Sequence, residues 1–206
     1  MNEFFDSIVN LFFKPTYIRQ INNLNYNCDR LIEPIKNSSN SEKRFRIREM
    51  LKTKNEVIQV FRKDSERLIK QNIAKQIINL TTVYANLLEN YYIRINDFDS
   101  IKSDETQNRI DENEAKLNTI SDVLYKNKIN DILEMDKQIL IHYKEEQASL
   151  NEINDKLLYI ESTAKLLKQQ ILSEIDAVDI LEDIQSTLNE STALNNVLIK
   201  RKRQKI

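Results

Sequence analysis

The chain has 206 residues, 31 basic and 32 acidic, with a net charge of −1, one cysteine, two prolines and no glycine. Phosphate-cradling loops and nucleophile elbows need glycine for close backbone approach or a strained turn, so nucleotide-loop enzymes and α/β-hydrolases are excluded. Cys28 has no second cysteine to pair with, which fits a reducing compartment, and no run of 18 apolar residues offers a membrane span.

Helix breakers are confined to Pro15 and Pro34, and strong helix formers fill the remainder. The predicted fold class is all-α: a helical bundle with long helices and a C-terminal coiled-coil arm. Residues 1–14 read as an amphipathic N-terminal helix, 15–146 as the helical bundle, 147–199 as a coiled-coil or helical-hairpin arm, and 200–206 as a basic tail.

In chain order, the first predicted helix stops before Pro15. It gathers Phe4, Phe5, Ile8, Phe12 and Phe13 on one broad arc, opposite Asp6, Ser7 and Asn10. That apolar arc suits a bilayer interface or a partner's groove, and it equally suits packing on the bundle. A second helix starts at Thr16 and carries Ile18, Ile21, Leu24, Cys28, Leu31 and Ile35, with Pro34 at its end. After the loop Asn37-Ser38-Ser39-Asn40 comes a basic helix from Ser41, with Phe45, Met50, Val57, Ile58 and Phe61 as expected core. It breaks near Lys63-Asp64-Ser65, where Asp or Ser can cap a new start.

The fourth helix runs to about Ile95, with Ile73, Ile77, Leu80, Tyr84, Leu87, Leu88 and Tyr91 as its buried stripe. Beyond a loop at 96–104, one long helical region carries Ile110, Leu117, Ile120, Leu124, Ile132, Met135, Ile139 and Tyr143. Then Leu150, Ile153, Leu157, Ile160, Ala164, Leu167 and Ile171 alternate steps of three and four without a miss, a heptad seam. The seam packs either on the chain's own helices or on a second copy. A hairpin bend is expected near Ser173–Asp179.

Charge is segregated along the chain. Residues 41–75 carry eleven basic and five acidic side chains, while 97–190 carry ten basic and twenty-two acidic. The tail adds Lys200, Arg201, Lys202, Arg203 and Lys205, which would be drawn to an anionic surface.

Residues able to carry chemistry are few. His142 is the only histidine, which removes paired-histidine metal sites. Cys28, on an apolar face, reads as a small buried hydrophobe. Asp176, Asp179 and Asp183 share a helix face at i, i+3 and i+7, but carboxylate rows on exposed helices are ordinary. The expectation is no catalytic residue, no metal and no cofactor.

Residues 14–146 also resemble a known family. Its marks are the Lys14-Pro15 start, a basic helix, Asp64-Ser65-Glu66 leading into Ile78-Asn79-Leu80-Thr81-Thr82-Val83-Tyr84, then Leu87-Leu88-Glu89-Asn90-Tyr91, and finally Ile129-Asn130-Asp131-Ile132-Leu133-Glu134-Met135-Asp136. This pattern resembles the XpaC family, which implies a compact bundle and a link to phosphate-ester hydrolysis or toxic-anion resistance. The heptad stretch from 150 and the basic tail depart from it.

The residues themselves favour a non-enzymatic helical scaffold or adaptor. Leu150, Ile153, Leu157, Ile160, Leu167 and Ile171 would be its coiled-coil interface, and the N-terminal phenylalanines its membrane or partner contact. The expected partner is a helical protein or a second copy, with an anionic membrane surface beside it. Nucleic acid is a lesser alternative, through residues 43–54 and the tail. The expected location is the cytoplasm, peripheral to the inner face of the membrane.

Overall fold

The computed structural model describes residues 16–99, 102–173 and 185–197, and these contain helices and no strand. The chain is an all-α helical bundle. Its helices are α1 (Thr16–Lys36), α2 (Ser41–Lys63), α3 (Leu68–Asp99), α4 (Ser103–Leu117) and α5 (Val123–Ser173), followed by a helical segment over 185–197. Phe4, Phe5, Ile8, Phe12 and Phe13, the tail Lys200, Arg201, Lys202, Arg203 and Lys205, the Asp176, Asp179 and Asp183 row, and the expected bend past Ser173 lie outside the described residues.

Helix boundaries follow local capping chemistry. The helix starts at Ser41 as expected, and the side chain of the preceding Asn40 caps it by accepting from the Lys43 backbone N–H at 2.9 Å. The Asp64 backbone N–H donates to the Phe61 carbonyl and ends it. The long helical region expected from about residue 104 is broken in two. Backbone N–H groups of Asn118, Thr119 and Ile120 close the last turn of α4, and Asp122 Oδ1 then accepts from the Leu124 and Tyr125 N–H groups at 2.8 and 3.2 Å to open α5. Asn118, Thr119, Ser121 and Asp122 each favour caps and turns over helix interior, and four in five residues outweigh the continuing apolar period.

The chain divides into two compact units. The first holds the described residues up to Asn90 and those from Lys156 onward. Its core is built around α3, where Ile73, Ala74, Ile77, Ile78, Leu80, Thr81, Tyr84, Ala85, Leu87 and Leu88 are buried on nearly all sides. α1 packs on α2 and adds Ile21, Cys28, Ile32 and Ile35. α2 adds Ile47, Met50, Leu51, Val57, Ile58 and Phe61. Phe45, expected in this core, is 65% exposed. It stands two residues from buried Ile47, about 200° round the helix, and so on the opposite face.

The second unit is Tyr91–Asp155. Ile110 of α4 meets Ile129 and Leu133 of α5, with Leu117, Ile120 and Leu140 packed against them. Tyr92 is buried and meets Tyr91 edge-on at 5.2 Å, while Phe98 stacks on Tyr143 at 4.5 Å.

Leu150, Ile153, Leu157, Ile160, Leu167 and Ile171 are all buried within the single chain. The heptad seam is therefore covered by the chain's own helices.

Candidate functional site

Buried charge in the first unit is paired and structural in character. Arg46 of α2 donates from Nε and Nη2 to Oε1 of Glu161 on α5, at 3.1 and 2.9 Å, and the Tyr84 hydroxyl of α3 donates to the same oxygen at 2.5 Å. Three helices thus meet on one carboxylate. Burial, and then the hydrogen bond to Glu161, push the Tyr84 phenol well above its ordinary value, so it remains a donor. Lys54 is fully buried, and its ammonium donates to Asn25 Oδ1 and Asp29 Oδ1, each at 2.6 Å. Burial raises the Cys28 thiol, against the smaller opposing effects of the Thr82 hydroxyl and Lys54, which makes it a poor nucleophile. At the α2–α3 corner Asp64 accepts from Lys70 at 2.8 Å and pairs with Arg67 at 3.1 Å. Lys70, then burial acting in opposition, and Lys70's and Arg67's charges leave its carboxyl below the usual range.

Polar ties in the second unit hold α4 and the end of α3 to α5. Arg94 makes a two-pronged bond to Glu146, at 2.6 and 2.7 Å, and donates to the Ser149 hydroxyl. Arg109 of α4 donates to both oxygens of buried Asp136, at 3.3 and 2.7 Å. Each of these groups has a partner whose role is to fix a helix, and no nucleophile, acid or base stands open to a substrate at them.

The feature that structure alone brings out is on the first half of α5. Its buried residues there are Ile129, Leu133 and Asp136, all turned toward α4. Leu124, Ile132, Met135 and Ile139 fall about a third of a turn round the helix and are exposed, Leu124 by 69% and Met135 by 68%. Tyr125 extends this exposed apolar group at the start of the helix. Asp131 and Glu134 are exposed along one flank, and residues 91–155 as a whole carry eight basic and fifteen acidic side chains. Of the apolar residues this helical region carries, Leu124, Ile132, Met135 and Ile139 thus lie at the surface. α4 covers the stripe Ile129, Leu133 and Leu140, and the other stands open.

Exposed cations collect on the outer face of α2, where Arg48, Lys52 and Arg62 lie within an arc of about 80°, with the polar Asn55 and Gln59 between them. Among the described residues there is no group of three or more His, Cys, Asp or Glu side chains able to hold a metal ion, and His142 is exposed on α5. No helix of the described residues is long and apolar enough to cross a membrane.

No family model matches the chain, and neither the curated proteins nor the solved structures contain a match.

Proposed function

We propose that this protein is a non-enzymatic helical scaffold or adaptor, and that the exposed stripe Leu124, Ile132, Met135 and Ile139 of α5 docks a helical partner or a second copy. The observation that carries this reading is the stripe itself. Leu124, Ile132, Met135 and Ile139, with Tyr125 at their edge, stand open within an arc of about 100° on one helix, a grouping of the kind that marks interaction sites, whereas singly scattered apolar residues do not. Its spacing of three, four and eight residues fits the groove of an apposed helix. The acidic flank Asp131 and Glu134 selects a partner helix with Lys or Arg beside its own apolar stripe. The test compares wild type with Leu124→Asp/Met135→Asp for partner capture and for mass in solution. A variant of unchanged helicity should lose the partner or fall to the mass of one chain, 24.4 kDa.

A second reading, binding of nucleic-acid phosphate, draws on the unpaired cations Arg48, Lys52 and Arg62 of α2. It predicts that binding weakens steeply as salt is raised. An XpaC-like role in phosphate-ester hydrolysis or toxic-anion resistance is carried by the sequence resemblance alone.

A further inference from the structure

The helical segment 185–197 is the least apolar contributor to the first unit. Thr187, Leu188 and Ser191 are its buried residues and Leu194 is half-buried, so it buries one large aliphatic side chain fully where α1, α2, α3 and α5 bury several each. Its ties are polar: Gln76 donates to Gln185 at 3.5 Å, Asn90 donates to Asn195 at 2.7 Å, and Lys156 pairs with Glu190. These run up α3 from residue 76 to 90 as the segment runs from 185 to 195, so the segment lies parallel to α3.

The fit is also poor in hydrogen bonds. Ser191 is 0% exposed, and its hydroxyl has no partner. On α3, Oε1 of Gln76, whose amide nitrogen donates to Gln185, is unpaired as well. Buried polar groups are satisfied in nearly all native packing, so the unpaired Ser191 hydroxyl on the segment and Gln76 Oε1 where it meets α3 locate a weak contact.

We propose that segment 185–197 is a displaceable occupant of a groove on α3 and α5, and that this groove accepts an amphipathic helix of a partner in its place. Such a helix would carry aliphatic residues where this chain places Thr187 and Ser191, with an acidic residue positioned for Lys156 as Glu190 is. The groove is a different face from the α5 stripe, so either proposal can fail without the other. An adaptor needs two faces, and this supplies the second.

The test uses the full chain as wild type, Ser191→Ala and Leu188→Asn. The probe is a labelled peptide of residues 185–197 carrying Ser191→Ala, titrated by fluorescence anisotropy, with hydrogen exchange measured on each chain. Wild type should bind the peptide saturably, and its amides at 185–197 should exchange at least about tenfold faster than those of α3 over 73–88. Ser191→Ala removes the unpaired hydroxyl, seats the chain's own segment better, and should weaken peptide binding about tenfold, the factor carried by 1.4 kcal/mol. Leu188→Asn loosens the segment and should shift affinity the opposite way. Absence of saturable binding by wild type, equal affinity among the three chains, or exchange at 185–197 as slow as in α3 overturns the proposal.

Discussion

Leu133 and Met135 stand two residues apart on α5 and face opposite ways, Leu133 buried against α4 and Met135 open to solvent. A difference of about 200° round one helix separates a core residue from a docking residue. Leu133→Ala should cost about 3 kcal/mol of unfolding free energy, the usual result of emptying a buried leucine site. Met135→Ala should change it by less than about 0.5 kcal/mol. Urea titrations followed by circular dichroism measure both, and equal losses would mean that Met135 is packed.

Glu161 is the one acceptor shared by Arg46 and Tyr84. Tyr84→Phe removes one donor and should cost about 1 kcal/mol. Glu161→Ala removes the acceptor that joins the guanidinium and the phenol, and should cost about 3 kcal/mol. The double variant Arg46→Met/Glu161→Met should recover much of that loss, because no charge is left stranded. Thermal melts of the four chains give the ordering.

Lys54 tests the same principle where burial is complete. Asp29→Ala leaves the ammonium with Asn25 as its remaining named acceptor and should destabilise by about 3 kcal/mol. Lys54→Met keeps the volume of the side chain, removes the charge, and should cost less than Asp29→Ala. The reverse order, read from denaturant midpoints at neutral pH, would show that the pair itself is a net source of stability.

The pair Lys156–Glu190 gives the docking of segment 185–197 a pH dependence. The hydrogen bond from Lys156, and then its charge, hold the Glu190 carboxyl below the usual range. A carboxyl lowered in the folded state contributes stability that is complete above its unfolded pKa of about 4.3 and is lost as pH falls through the lower folded value. Hydrogen exchange at 185–197, corrected for intrinsic rates, should be flat above about pH 5 and speed up below it. Lys156→Met should remove that acid-side increase.

Much of the fold is legible in the sequence because helix propensity and punctuation agree. The Asn37–Asn40 loop, the break at Lys63-Asp64-Ser65 and the run Ile73 to Leu88 all follow from capping and apolar period. The α4–α5 turn was legible as well, in Asn118, Thr119, Ser121 and Asp122, but the apolar period running across it suggests one helix. Which stripe of α5 is core is a harder matter. Ile129, Leu133 and Leu140 on one side, and Leu124, Ile132, Met135 and Ile139 on the other, are equally apolar, and only the position of α4 selects between them. For the same reason the heptads from Leu150 to Ile171 suit an own-chain core and an intermolecular seam alike. The polar ties that anchor the bundle, such as Arg46 to Glu161, join residues 115 positions apart and have no local signature.

The docking stripe is most directly tested by placing a photo-crosslinking amino acid at Met135 in cells, with Glu49 on the outer face of α2 as the control site. The account predicts one discrete protein adduct from position 135, lost when Ile139→Asp is added, and no such adduct from position 49. The absence of an adduct at 135, or the same products from both positions, would contradict a docking role for this face.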